Sequence, residues 1–109
     1  MIRIEAIVGQ GDIRAISNAL KKIQVGGITI MKVRGRGKNL NPQIHAAKGT
    51  EMFTPEFSDK FVIQVIVDGK YEDDVIRIIR DNAKIGKIFI SAITRAVDIA
   101  SGNENEKAI

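Results

Sequence analysis

The 109-residue sequence has no cysteine and no tryptophan, and only one histidine, one tyrosine and two prolines. Without cysteine there can be no disulfide, no thiolate metal site and no thiol nucleophile. The single histidine, His45, has no evident nucleophile to activate and reads as a solvated loop residue. Metal ligation by His45 with Glu51 or Glu56 lacks the spacing of a metal motif. No stretch approaches the roughly 18 apolar residues that a membrane helix needs. The first strand-like run carries Arg3 and Glu5 inside it, which suits a strand better than a secretory leader. These absences lead us to expect a cytoplasmic protein that is not an enzyme and does not insert into a membrane.

Isoleucine dominates the apolar fraction of 44%, and a chain of this length makes one domain, 1–109. A domain this small buries a modest share of its surface, so partner subunits would help it. The net charge of +4 is unevenly spread. Residues 1–38 hold eight Lys/Arg against two Asp/Glu, whereas 39–59 and 98–109 are each negative. The basic charge peaks at Lys32-Val33-Arg34-Gly35-Arg36-Gly37-Lys38 and favours anionic partners.

Two similar halves emerge from the periodicity. Ile2, Ile4, Ala6 and Val8 alternate with Arg3, Glu5 and Ile7 as in a strand. Asp12 is a candidate N-cap for a helix carrying Ile13, Ile16, Leu20 and Ile23, which Gly26-Gly27 would end. Ile28 to Val33 forms a second strand. Phe61 to Val67, a helix from about Tyr71 to Ala83, and Lys87 to Ile93 repeat the plan. Val8 to Ile30 and Val67 to Ile90 are 22 and 23 residues apart, so the halves share one period. Two βαβ-type units predict an α+β, ferredoxin-like antiparallel sheet with both helices on one face. The strand at 61–67 is apolar on both faces, so a second copy of the chain should cover the other face. Between the halves lies a long loop, about 38–59, containing Pro42, Pro55 and His45. Loops of this length are uncommon unless functional. The polar end, 98–109, reads as a loose tail.

If the second strand continues, Lys32, Arg34, Arg36 and Lys38 share a face. Gly35 and Gly37 would let backbone approach a ligand. The stretch fits either an anion site or a charged edge that discourages strand addition. RNA-binding domains with this sheet stack bases on aromatics of the central strands. Arg34-Gly35-Arg36-Gly37-Lys38 supplies none, which argues against nucleic acid and leaves only non-specific phosphate binding.

Several segments, in order, resemble the PII signal-transduction (nitrogen regulatory P-II) family. They are Ile4-Glu5-Ala6-Ile7-Val8, the run from Gly27 to Lys38, Lys48-Gly49-Thr50-Glu51, Gly86-Lys87-Ile88-Phe89-Ile90 and the terminal Ala108-Ile109. The resemblance implies a homotrimer with nucleotide clefts between subunits that bind ATP or ADP, with 2-oxoglutarate joining Mg-ATP. It also implies a long loop that docks on a target such as an ammonium transporter or an enzyme of nitrogen assimilation. Carried over position by position, it implies nucleotide contacts from Thr29, Gly35, Arg36, Gly37, Lys38, Lys60, Gln64, Gly86 and Lys87. Regulatory-loop roles fall on Asn39, His45, Lys48, Gly49, Glu51 and Met52.

The chain departs from the family pattern at several of these places. The glycine-rich segment before the last strand is shorter by about four residues at Asp81 to Lys87. Asp98 and Ala100 stand where the resemblance expects phosphate-gripping arginines. Asn39 replaces a glutamine that helps hold Mg-ATP and 2-oxoglutarate, Gln64 a glutamate, and Met52 a tyrosine that some members have uridylylated. Two lost charge-assisted contacts, at roughly 1.5–3 kcal/mol each, predict affinity weakened about a hundred-fold or more. The resemblance with these departures predicts weakened ATP or ADP binding and no 2-oxoglutarate response by the usual route. Alternatives are a ligand-free trimeric docking module and a phosphate- or nucleic-acid-binding ferredoxin-like domain.

Overall fold

The computed structural model describes residues 1–37, 44–45 and 52–109. Its main body is a four-stranded antiparallel sheet in the order β2-β5-β1-β6. These strands are β1 (Ile2–Val8), β2 (Thr29–Gly35), β5 (Ser58–Val67) and β6 (Lys87–Ala92). Two helices, α1 (Ile13–Lys22) and α2 (Glu72–Asn82), connect the strands of each half. This is the expected α+β, ferredoxin-like architecture.

The covered face follows from the alternation. Ile4, Ala6 and Val8 of β1 and Ile63, Val65 and Val67 of β5 are buried against Ile16 and Leu20 of α1 and Val75 and Ile79 of α2. Each fully buried Ile, Leu or Val contributes roughly 1.5–3 kcal/mol, so these side chains hold the helices to the sheet. The opposite face carries the other parity. Lys87, Ile7, Val62 and Met31 form one row across all four strands, and Phe89, Glu5, Gln64 and Thr29 form the next. Met31 and Phe89 on this face are exposed. Arg3, on the same face, has a buried Nε with no hydrogen-bond partner among the described residues.

Local geometry corrects several expectations. Asp12 makes no side-chain cap bond, because a 3₁₀ turn at Gln10–Asp12 already feeds the chain into α1. That helix stops before Gly26-Gly27. Val25 N–H donates to Leu20 O and Gln24 N–H to Lys21 O, both at 3.1 Å, which is a Schellman ending. Gln24 therefore takes the left-handed position, at φ 65°. In the second half Asp68 does cap, accepting from Lys70 N–H at 3.0 Å. The loop region, read as lacking periodicity, contains a two-stranded ladder of β3 (Ile44–His45) and β4 (Met52–Phe53). Strands of two residues are too short to display a period.

The polar segment read as a loose tail makes local bonds of its own. Asp98 N–H donates to Asn103 O, and Asn105 N–H to Ala96 O, each at 2.8 Å. Arg95 Nε donates to Glu104 Oε1 at 2.7 Å. Asp98 and Asn105 side chains supply bonds that a polar composition alone does not reveal.

Candidate effector site

The end of the sheet where β2 leaves for the long loop concentrates cations. The β2–β5 ladder closes at Gly35↔Ser58, with Lys60 opposite Val33. A Cβ built at Gly35 would lie 3.9 Å from Lys60 Cγ, in ordinary contact. The lysine stem thus lies alongside a bare piece of backbone. Two cations of the basic stretch are already engaged. Lys32 Nζ is 3.3 Å from Asp59 Oδ2, and Arg36 Nη1 is 2.7 Å from Glu56 Oε1. Within the described part of that stretch Arg34 has no ion pair among the described residues, and neither has Lys60 on the neighbouring strand.

Lys87 opens β6 at the same end and on the same uncovered face as Lys60, because Ile7 pairs with both Lys87 and Val62. Beside it lies a cavity of about 280 Å³ lined by Arg80, Lys84, Ile85 and Gly86. Gly86 has φ 140°, and a Cβ there would fall 2.0 Å from the carbonyl oxygen of Ile7. No side chain fits. The short α2–β6 connection packs directly on the β1 backbone, which accounts for this glycine without any ligand. A phosphate at this end would depend on lysine and arginine side chains more than on a glycine-rich cradle.

Thr29 and Gln64 lie elsewhere. They face each other in the β2–β5 register, six residues and about 20 Å from Gly35. Gln64 Nε2 donates to Glu5 Oε1 at 3.0 Å, leaving its carbonyl oxygen as an acceptor. Together they line a cavity of about 530 Å³ with Gly26, Gly27, Ile66 and Tyr71. Lys70 Nζ sits 5.2 Å from the centre of the Tyr71 ring. Sequence reasoning missed Tyr71, Lys70 and Gln24 here. They come from two inter-element turns that only the sheet topology brings together, and the one usable signal was the Asp68-Gly69-Lys70 turn after a long strand.

One chain thus gathers Gly35, Arg36, Gly37, Lys60, Gly86 and Lys87 at one end, with Gln64 one row further in than Lys87 and Thr29 opposite it on β2. Lys38, Asn39, Lys48, Gly49 and Glu51 lie outside the described residues. His45 pairs with Met52 in the small β3–β4 ladder. Among the described residues no group of three His, Cys, Asp or Glu side chains could hold a metal, and no helix is long and apolar enough to cross a membrane.

Asp98 is committed within its own loop. Its carboxylate accepts from Ser101 N–H at 2.8 Å and from Ser101 Oγ at 2.9 Å. The Ser101 backbone bond, then its hydroxyl, holds the carboxyl below the ordinary value of 3.8. It therefore stays ionised near neutrality, as an acceptor and not a phosphate ligand.

Comparison with known proteins identifies the lineage. A family model for nitrogen regulatory protein P-II matches residues 1–103. The nitrogen regulatory protein P-II of Haemophilus influenzae is 32% identical over 114 aligned positions, covering all of both chains. That of Nostoc punctiforme is 31% identical with the same coverage. An Arabidopsis thaliana homolog is 30% identical over 97% of this chain and 56% of its own length. Among solved structures, B. subtilis GlnK superposes with a TM-score of 0.78 at 23% identity, covering 99% of this chain and 97% of that one, which supports the fold. The chain belongs to the nitrogen regulatory protein P-II family, whose members are regulatory signal-transduction proteins and not enzymes.

Proposed function

We propose that this chain is a PII-type regulator of nitrogen metabolism that works as a cytoplasmic homotrimer. A small anionic effector, with ADP or ATP as the first candidates, binds in clefts between copies. The long loop, about 38–59, then acts on a target protein such as an ammonium transporter.

The observation that carries this reading is the split of the candidate residues between the two ends of the sheet. Lys60 and Gln64 share one face of β5 four residues apart, so one copy can offer both to a ligand, whereas a ligand touching both the Gly35–Gly37 backbone and Thr29 must span about 20 Å or take one of them from a second copy. The uncovered face supports the same arrangement, with exposed Met31 and Phe89 and a buried Arg3 Nε lacking a partner among the described residues. Exposed apolar patches mark interfaces, and buried donors are normally satisfied. The cations at the loop end suit phosphate, and the cavity near Tyr71, lined by Thr29, Gln64, Ile66 and Ile109 together with Asp68, Lys70 and Glu106, suits the uncharged part of a nucleotide.

A second reading, a ligand-free trimeric docking module, draws support from Gly86 and Asp98. The first is required by the Ile7 carbonyl, and the second is committed to Ser101. Light scattering coupled to gel filtration, followed by calorimetry with ADP and ATP with and without 2-oxoglutarate, separates the two. The leading reading expects a trimer that binds at least one nucleotide. A trimer that binds none supports the docking module, and a 12.0 kDa monomer contradicts both.

A further inference from the structure

Where the backbone ladder between β2 and β5 stops, side chains continue its closure. The last register pair is Gly35↔Ser58. One step beyond it, the Arg36 guanidinium lies 6.0 Å from the centre of the Phe57 ring, while its Nη1 donates to Glu56 Oε1 at 2.7 Å. Inside the ladder, Lys32 pairs diagonally with Asp59, whose register partner is Arg34. The Arg36 and Glu56 side chains are 65% and 61% exposed. Ion pairs at such exposure are weak and screened by salt. Arg36 is therefore held in place by contacts that a competitor can displace.

Arg36 differs from Lys32 in what surrounds it. Glycines flank it on both sides, and among the described residues nothing lies within 4 Å of a Cβ built at Gly37. An incoming group can reach the backbone and the guanidinium together. A guanidinium offers five N–H donors in a fork that matches two oxygens of one phosphate. Lys60, beside Gly35, has the opposite pleat parity, so Arg36 and the flanking backbone carry the contact. Glu56 and a phosphate group thus compete for one cation.

We propose that Arg36 is an oxyanion ligand held in reserve, bound either to Glu56 and Phe57 or to a phosphate-type group, and not to both. Occupancy of Arg36 by the oxyanion releases the outermost closure of β2 on β5, and by reciprocity any change that loosens that closure raises oxyanion affinity. This deepens the proposed function, since it rests on the loop end being the effector site. The ligand chemistry is a tetrahedral oxyanion, carried by a nucleotide or present as free phosphate.

The test is calorimetry of the full chain with ADP, inorganic pyrophosphate and adenosine. The variants are Glu56→Gln, Phe57→Leu, Asp59→Asn and the double variant Arg36→Ala with Glu56→Gln. Glu56→Gln should raise affinity for the phosphate-bearing probes about two- to fivefold. Phe57→Leu should raise it about twofold with no change of charge. Asp59→Asn removes the same charge from the neighbouring pair and should raise it less than about 1.5-fold. The double variant should gain nothing, and adenosine affinity should not move. A gain for ADP alone supports a nucleotide phosphate, and an equal gain for pyrophosphate supports a free-phosphate site. Hydrogen exchange at the Phe57 and Ser58 amides should speed up in Glu56→Gln, and in the unaltered chain on adding pyrophosphate. Equal gains from Glu56→Gln and Asp59→Asn, or a gain that survives Arg36→Ala, would overturn the inference. A chain that forms trimers and binds ADP, yet shows no change in Glu56→Gln, overturns it while leaving the proposed function standing. No binding of any phosphate-bearing probe by any variant overturns the inference and the effector-binding reading together.

Discussion

The two ends of the sheet are built on different principles. The loop end is electrostatic. Lys60, Lys84 and Lys87 have no ion pair among the described residues, and only the basic stretch is partly neutralised, by Glu56 and Asp59. Its cavity is small, at about 280 Å³. The other end is shaped. It has a cavity of about 530 Å³ with Thr29, Gln64 and Tyr71 on its walls. One end can hold charge and the other can hold a body, and about 20 Å of strand separates Gly35 from Thr29.

Replacing Gly86 should break the loop end most severely. Gly86→Ala forces a Cβ onto the Ile7 carbonyl at φ 140°. We expect a loss of roughly 2–4 kcal/mol in urea unfolding. Gly102→Ala, at φ 75° with nothing within 4 Å among the described residues, should cost about 1 kcal/mol. Equal costs at the two glycines would mean that the β1 contact is not what demands glycine at 86.

Charge removal comes next. Lys87→Ala should weaken binding of a phosphate-bearing ligand by about 1.5–3 kcal/mol, at least tenfold. Unfolding free energy should change by less than about 0.5 kcal/mol, since the residue is exposed. If binding is untouched, the electrostatic character assigned to that end is wrong.

How legible these ends were in the sequence follows from how local their causes are. The alternation of Ile2, Ile4, Ala6 and Val8, and the helical spacing of Ile16 and Leu20, set β1 and α1 through contacts along a few residues of chain. The repeat at 61–93 carried the same information, so the sheet and its helices could be read. The uncovered face could also be read, because Phe61 to Val67 is apolar on both parities. The larger cavity could not. Tyr71 and Gly26 enter it from turns some 45 residues apart, and the turn signals at Gly26-Gly27 and Asp68-Gly69-Lys70 do not show that the two meet. The steric demand for glycine at 86 could not be read either, because it comes from the Ile7 carbonyl on another strand. Charge pairing across β2 and β5 was equally invisible until the register set Lys32 near Asp59.

A smaller effect should sharpen the shaped end. Gln24 borders the larger cavity and holds the left-handed position that ends α1. Gln24→Gly relieves that conformation and should stabilise the chain by about 0.5–1 kcal/mol in urea unfolding. A neutral or destabilising result would point to a contact of the Gln24 side chain that outweighs the backbone strain.

The smallest effect concerns Asp98, outside both ends. Its carboxyl lies below the ordinary 3.8 because Ser101 donates to the charged form. Its contribution to stability is therefore complete above the unfolded-state value and disappears as pH falls through the lower folded-state value. An NMR titration should place the Asp98 midpoint below 3.8, and Ser101→Ala should move it back upward, because the hydroxyl bond is lost.

The central claim, that two copies complete one effector site, is tested most directly by subunit mixing. Chains carrying Lys60→Ala and Lys87→Ala lack the electrostatic end, and chains carrying Thr29→Ala and Lys70→Ala lack the shaped end. Each pure oligomer should lose ADP binding. Oligomers refolded from both kinds of chain should recover it, because some clefts then pair two intact ends. Confirmed mixed oligomers that show no recovery, or a pure variant that binds ADP as the unaltered chain does, would contradict the account.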